Sequence, residues 1–467
     1  MPPHHPVADD TIVAVITPPG EGGIAVLRLS GPRAISAVDA VFHGKQPLAG
    51  AASHSAHVGM LTEPDGAVLD EVVVTIFRAP RSYTAEDVAE VSCHGSTFIA
   101  QKILQSFVRQ GMRPAEPGEF TRRAFLNGRI DLSQAEAVAE LIRSRSDMAR
   151  DAALRQLQGL HTNRFEEIKG KILNLCSLLE LELDFSEEGI SITETGTNEL
   201  TIRTIVEELT QLIDSYKFGK IYRDGVKVVL VGQPNVGKSS LLNALLNEQR
   251  SIVTDISGTT RDTIEEAIRL AGYSVRVVDT AGLRHTVDPV ELEGIRRTLA
   301  EIEDADVVAY LLDASSPNPA QDMVRLSSLV ASKGGASGIM LVVNKVDLAL
   351  GWTPPISMPA GMGIYKVSAK TGFGIEELKR AISDRCFSGD FHLSEKSVIV
   401  TNARHQASLI QAKAALERSL ASLVGGQSNE FIALDMHAAL RHLGEITGAT
   451  TTEEVLNNIF ASFCIGK

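Results

Sequence analysis

Residues 226–246 read VKVVLVGQPNVGKSSLLNALL: an apolar run, a loop bracketed by glycines, and a stretch of helical period. A nearly continuous apolar run suits a strand covered on both faces, and the loop must then lead directly into a helix. Within it, GQPNVGKS (232–239) matches G-x-x-x-x-G-K-[ST]. Glycines let backbone N–H groups wrap phosphate oxygens, and the helix N-terminus adds positive potential. Lys238 would neutralise the β- and γ-phosphates, and Ser239 would ligate Mg²⁺. Taken alone, the motif also admits a glycine-rich turn that binds nothing.

Three further segments follow in order and remove that alternative. VKVVLVG, YSVRVVDT, ADVVAYLLD, IMLVVNK and GIYKVSA are short apolar strands separated by helical stretches, which predicts a doubly wound parallel α/β sheet. DTAG (279–282) ends one strand and sets Asp279 by the metal and the Gly282 amide by the γ-phosphate. NKVD (344–347) ends another, and its Asp347 carboxylate accepts from N1–H and the exocyclic amine of guanine, a pattern adenine lacks. SAK (368–370) adds contacts to the same base. Between the phosphate loop and DTAG lies TDISGTTRD (254–262), with Thr260 as the switch threonine for Mg²⁺. The combination predicts GTP binding and disfavours an ATPase. Leu283 follows the DTAG glycine where Ras-like enzymes place a water-orienting glutamine, so hydrolysis requires another group. Glu291 is a carboxylate in the right stretch, readable either as that group or as a solvated charge.

The remainder of the 467 residues supports about three domains. Residues 11–126 read as mixed α/β. TIVAVIT and GIAVLRLSG are strand-like, DEVVVTIF is a third strand, and STFIAQKILQSFVRQG is a helix stopping at Gly111. From about 131 to 216 the pattern is helical, with Phe165, Ile168, Ile172, Leu175 and Leu179 on one stripe. Helix returns after about 383, where Leu409, Ala412, Leu416, Leu420 and Leu423 share a face. Neither helical portion is self-sufficient, so a single all-α domain interrupted by the α/β insertion is expected. The boundaries fall at 1–126, 127–220, 221–382 and 383–467.

A net charge of -13 argues against a protein coated in positive potential, so any RNA contact is confined to one face. The four scattered cysteines form no C-x-x-C pair and suggest reduced thiols in a cytosolic protein rather than a disulfide framework or zinc site. The N-terminal MPPHHPVADD lacks the pattern of a signal or transit peptide, and no apolar run of about 18 residues appears, so no membrane span is expected.

TPPGEGGIAVLRLSG, PGEFTRRAFLNGRIDLSQAEAV, GQPNVGKSSLLNAL, TDISGTTRD, DTAGLR and the terminal FCIGK together resemble the MnmE (TrmE) family of tRNA wobble-uridine modification GTPases, over essentially the whole chain. The resemblance implies an N-terminal α/β tetrahydrofolate-binding domain that also forms a homodimer, a discontinuous helical domain, and an inserted Ras-like, potassium-dependent G domain. It implies a cytoplasmic enzyme working on tRNA in a heterotetrameric complex with MnmG, which supplies FAD and NADH chemistry. A 5,10-methylene- or 5-formyl-tetrahydrofolate provides the one-carbon unit of an aminomethyl or carboxymethylaminomethyl group placed at C5 of the wobble uridine.

The residues carried over for GTP are Asn235, Val236, Gly237, Lys238, Ser239 and Ser240, then Thr254, Asp255, Ile256, Ser257, Gly258, Thr259 and Thr260. Asp279, Thr280, Ala281 and Gly282 follow, with Asn344, Lys345, Asp347, Ser368, Ala369 and Lys370 for the base. Potassium falls to Asn235, Thr254, Ile256 and Thr259, and Mg²⁺ to Ser239 and Thr260. The resemblance lifts Glu291 to the glutamate that orients the attacking water, with Arg284 a further candidate in the same switch. Folate falls to Arg28, Glu90, Arg129 and Lys467; some members carry lysine at position 129, which keeps charge but changes contact geometry.

The alternative is a regulatory or ribosome-assembly GTPase without modification chemistry. Such relatives usually append a basic RNA-binding module, whereas the C-terminal helices here include Glu430, Asp435, Glu445, Glu453 and Glu454. The terminal CIGK is no lipidation signal, since Gly466 and Lys467 break the C-a-a-X pattern. A docked helix should hold it, presenting Cys464 and Lys467 to the folate pocket across the family's dimer. Cys464 stands either as a catalytic thiolate or as a positioned structural cysteine.

Overall fold

The computed structural model describes residues 10–63, 65–184, 195–246, 265–270, 273–279, 299–333, 335–336, 338–349, 351–354, 362–387 and 398–467. Two compact units emerge: residues 1–143, 153–216 and 402–467 form one, and 144–152 with 217–401 the other. No helix of the described residues is long and apolar enough to cross a membrane.

The first unit opens with seven strands: β1 (Ile12–Val15), β2 (Ile24–Ser30), β3 (Phe42–Gly44), β4 (Ser55–Thr62), β5 (Val68–Phe77), β6 (Val88–His94) and β7 (Arg113–Pro114). They form one sheet in the order β3-β4-β5-β6-β2-β1-β7. Every pairing is antiparallel except β1 with β7. Leu27, Leu29, Val72, Val74, Ile76 and Val91 alternate onto one face, covered by Ile103 and Phe107 of the helix Thr97–Arg109. That helix ends at Gly111, whose φ of +86° is reached without strain only by glycine. β4 escapes the sequence reading because SAHVGMLT leaves Val58 and Met60 exposed, so no covered face marks it as a strand.

The helical part of this unit is built from both ends of the chain. Phe165, Ile168, Ile172, Leu175 and Leu179 of the helix Leu160–Asp184 are buried, as their spacing requires. On the helix Ala403–Val424, Leu409, Ala412, Leu416 and Leu423 are buried, but Leu420 is only half-buried. Ser419 takes the inner position instead, and its hydroxyl donates to the Ile432 carbonyl at 3.2 Å. The helix Glu453–Ala461 packs Leu456 and Phe460 against Phe125, Leu132 and Ala135.

A buried ionic cluster joins the two sequence regions. Glu136, on the helix Leu132–Arg143, accepts from Arg404 Nε and Nη2 at 2.9 and 2.8 Å, and lies 2.7 Å from His405 Nε2. Arg404 also donates to the carbonyls of Glu445 and Ile446. Removing one partner from such a cluster typically costs about 3–5 kcal/mol, because an uncompensated charge stays buried. His161 lies in the same core, with its ring edge-on to Phe165.

The second unit carries a six-stranded sheet: β8 (Val226–Gly232), β9 (Glu265–Leu270), β10 (Tyr273–Asp279), β11 (Val307–Asp313), β12 (Ile339–Asn344) and β13 (Gly363–Lys366), ordered β13-β12-β11-β8-β10-β9. Val226, Val228 and Leu230 face one hydrophobic cluster while Val229 and Val231 face another, which explains the continuous apolar run of β8. Five strands are parallel, as expected; β9 is an unanticipated antiparallel edge. Only Ala271 and Gly272 separate it from β10, too few for a crossover. The two ends of this unit meet, since a side chain at Gly219 would overlap the Val400 carbonyl.

Acid should destabilise the first unit in two stages. Burial, with a smaller push from His405, holds His161 down to about 3, below its ordinary 6.5. The fold therefore keeps it neutral, and stability falls as the unfolded chain gains a proton below 6.5. Glu136 is opposed by burial, but His405 and Arg404 together draw it down to about 2 from 4.5, so its contribution is full above 4.5 and lost between 4.5 and 2. Thermal midpoints followed against pH should fall less steeply between 6.5 and 4.5 in His161→Gln than in the unaltered chain. Parallel curves would reject this role.

Candidate functional site

Two polar sites stand out, one in each unit. In the second, β8 ends at Gly232 and the helix Lys238–Leu246 begins after five intervening residues. The intervening turn needs left-handed backbone at Asn235 (φ +66°) and Gly237 (φ +94°). Asparagine tolerates that region better than most residues, whereas a Cβ at Gly237 would overlap the Asn344 side-chain amide. Lys238 curls back so that Nζ donates to the carbonyls of Gly232 and Gln233 at 3.0 and 3.1 Å. Ser239 and Ser240 are exposed on the first helical turn, and Val236 is buried.

The NKVD and SAK segments join this loop through Asn344. It is buried at the end of β12; its amide donates to the Val236 carbonyl at 2.9 Å, and its Oδ1 accepts from the backbone N–H groups of Lys345 and Ala369. One side chain thus ties the phosphate loop, NKVD and SAK together. Lys345 Nζ donates to the Asn235 carbonyl at 2.8 Å and pairs with Asp313 at 2.6 Å. Ser368 donates to Asp347 Oδ1 at 2.7 Å, fixing the carboxylate. Lys370 is exposed. Asp279 lies in register with Leu230 on β8, at the C-terminal end of β10.

Thr254, Asp255, Ile256, Ser257, Gly258, Thr259, Thr260, Thr280, Ala281, Gly282, Arg284 and Glu291 lie outside the described residues. Asp313 was not anticipated, although its place at the end of β11, beside two other strand-end motifs, was a signal.

The first unit holds the other site. Arg28 on β2 is paired in register with Glu90 on β6, and its Nε donates to Glu90 Oε1 at 2.8 Å. The guanidinium lies 4.7 Å from the Tyr83 ring centroid and 5.5 Å from that of Phe120. Its Nη1 is buried without a hydrogen-bond partner among the described residues. Such an orphaned charged donor costs free energy unless a ligand or water completes it. Arg129 donates to the Tyr83 carbonyl at 2.7 Å and sits 5.1 Å from the same ring. Glu90, Tyr83 and Arg129 border a pocket of about 370 Å³, together with His54 and Phe77. Tyr83 was not anticipated, because PRSYTAEDV has no periodicity that singles it out.

Lys467 reaches this site within its own chain. Pro117 bridges Ile465, the Gly118 N–H donates to the Cys464 carbonyl, and a Cβ at Gly466 would meet the Val15 carbonyl at 2.8 Å. Burial and the nearby Arg28 push the Lys467 ammonium below its ordinary range, while Glu90 opposes them. The tail therefore needs no second protomer to approach Arg28 and Glu90, contrary to the expectation of delivery across a dimer. The reason is local: Phe460 and Phe463 anchor the preceding helix on its own chain. Cys464 is exposed and free.

A family model described as MnmE helical domain matches residues 132–464, and one described as GTP-binding protein TrmE N-terminus matches residues 11–129. The chain belongs to the MnmE family. The MnmE of Cytophaga hutchinsonii, named a tRNA modification GTPase, is 42% identical over 458 residues, 98% of each chain. The equivalent protein of Syntrophotalea carbinolica is 43% identical over 464 residues, covering 99% of this chain and all of its own. That of Salinibacter ruber is 44% identical over 461 residues, covering 98% and 99%. The similarity to these MnmE proteins thus spans both sites.

The Gly237 geometry makes a direct prediction for this MnmE relative. Gly237→Ala places a Cβ against Asn344 and forces left-handed backbone on alanine, at a cost of about 1–3 kcal/mol. Guanine-nucleotide affinity, measured by fluorescence titration, should fall roughly 10- to 100-fold. Unchanged affinity would show that the loop rearranges freely.

Proposed function

We propose that this chain is a cytoplasmic GTPase that, with the FAD- and NADH-using partner MnmG in a heterotetrameric complex, places an aminomethyl or carboxymethylaminomethyl group on C5 of the wobble uridine of certain tRNAs. The observation that carries this reading is the orphaned Arg28 Nη1 beside Glu90 and Lys467, in a chain that also bears the Asn344–Asp347 loop. A regulatory GTPase has use for the second feature alone.

The first-unit pocket suits a folate. Glu90 would accept from the N–H donors of a pterin, while Arg28, Arg129 and Lys467 would engage its polar or anionic parts. A 5,10-methylene- or 5-formyl-tetrahydrofolate bound there supplies the one-carbon unit. The exposed sheet face carrying Val58, Met60 and Val73 supports a homodimer through this domain.

In the nucleotide site, Asp347 reads guanine, with Ser368 fixing its orientation. Lys238 offsets phosphate charge, and Ser239 with Thr260 would hold Mg²⁺. Asn235, with Thr254, Ile256 and Thr259, would hold K⁺, which supplies charge where an arginine finger otherwise acts. Glu291 orients the attacking water in place of the glutamine that Leu283 excludes.

Nucleoside analysis of tRNA from a deletion strain tests the main reading. The modified wobble uridine should vanish, return with the unaltered chain, and stay absent with Glu90→Gln even though that variant hydrolyses GTP normally. Unchanged uridines in the deletion strain would leave only the regulatory GTPase; restoration by Glu90→Gln would remove the folate assignment.

GTP hydrolysis should be much faster in K⁺ than in Na⁺, and Glu291→Ala should slow it by roughly 10²-fold with little change in nucleotide affinity. Equal rates in the two salts would withdraw the cation roles of Asn235 and the 254–259 loop. Normal hydrolysis by Glu291→Ala would make Glu291 a solvated charge.

A further inference from the structure

Three side chains of different donor type, none of them among the residues of either site, converge between two helices. Cys176 and Glu180 lie one turn apart on the helix Leu160–Asp184, and His437 comes from the helix Asn429–Thr447. Cys176 Sγ is 3.5 Å from His437 Nε2 and 3.9 Å from Glu180 Oε1, and the last two atoms are 2.8 Å apart. Cys176 is buried, while Glu180 and His437 are about half exposed, so the trio has a dry floor and an open mouth.

From these distances we propose a divalent metal site of the zinc class, with Cys176, Glu180 and His437 as ligands and water in the fourth position. Zn–S bonds of about 2.3 Å and Zn–N bonds of about 2.0–2.1 Å at a tetrahedral angle separate sulfur and nitrogen by roughly 3.5 Å, the value found here. The same geometry with Zn–O of about 2.0–2.2 Å requires roughly 3.5 Å for S···O and 3.3 Å for N···O. Glu180 meets both by moving a few tenths of an ångström away from His437 and toward Cys176, and its exposure leaves room for that. On binding, the thiol proton passes to solvent and sulfur ligates as thiolate. One thiolate, one imidazole and one carboxylate suit a borderline-soft ion far better than Mg²⁺ or Ca²⁺, which prefer oxygen-only shells.

No C-x-x-C spacing marks this set, because the cysteine and the histidine are 261 residues apart and only the fold brings them together. An ion held there would clip the helix from the first half of the helical domain to one from the second. It would do so without involving the nucleotide or the Arg28 pocket, so the inference stands apart from the function proposed above.

The full-length chain, reduced with a phosphine and freed of metal, should be titrated with Co²⁺ and then Zn²⁺ in the presence of Mg²⁺ and GDP. One Co²⁺ per chain should produce a thiolate-to-cobalt charge-transfer band in the near ultraviolet, bleached by one equivalent of Zn²⁺. Zn²⁺ should also raise the thermal midpoint of the unaltered chain. Cys176→Ser should abolish the band, and His437→Gln should weaken Zn²⁺ binding by about 10²-fold or more and remove the thermal shift. His437 is exposed, so that variant should fold, as metal-free circular dichroism would verify. No band, a band that persists in Cys176→Ser, or undiminished Zn²⁺ affinity in His437→Gln would each overturn the site.

Discussion

The carboxylate of Glu136 is the point on which the first unit closes. It is buried on one helix, accepts from Arg404 and lies against His405 on another, 268 and 269 residues away in sequence. Hydrophobic packing alone would allow the helices Leu132–Arg143 and Ala403–Val424 to slide or rotate against each other. A buried carboxylate that must receive two guanidinium bonds and face an imidazole permits one register. Its net contribution to stability is limited by desolvation, so its main effect here is geometric. That register also determines where the helix Glu453–Ala461 lies, and with it the terminal lysine.

The two sites share a construction. In each, a backbone feature brings charged groups together and a neutral or aromatic group then holds them. In the nucleotide loop the left-handed turn at Asn235 and Gly237 is locked by the amide of Asn344. In the first-unit pocket the β2–β6 register sets Arg28 opposite Glu90, and the Tyr83 ring receives both Arg28 and Arg129. In the nucleotide loop the Lys238 ammonium and the Asn344 amide both donate to loop carbonyls. The pocket instead retains an unsatisfied guanidinium nitrogen.

Legibility in the sequence followed the range of the interactions. The α/β alternation of the second unit and its phosphate loop were readable because strand, loop and helix are neighbours in the chain. The stripe from Phe165 to Leu179 was readable because 3.6-residue periodicity is local. β9 was missed because its EEAIRL lacks the continuous apolar run of a central strand, and β4 because its exposed valine and methionine imitate a loop of mixed polarity. Leu420 shares the apolar face of its helix but is only half-buried while Ser419 is buried, since a hydroxyl bonded to a neighbouring carbonyl is invisible to a hydrophobic pattern. Arg28 and Glu90 carried no signal of their own; what joins them is sheet register across 62 residues, and only the family resemblance named them beforehand.

The near-contact of Gly219 with Val400 has a wider meaning. A segment whose two ends touch costs its host little closure entropy, because the surrounding chain leaves and returns at almost the same point. Residues 217–401, the greater part of the second unit, are in this respect a cassette. Their excision would leave two nearby chain ends that a short turn can join. The lack of a side chain at Gly219 is what permits this helix position and the chain at Val400 to lie close enough for this.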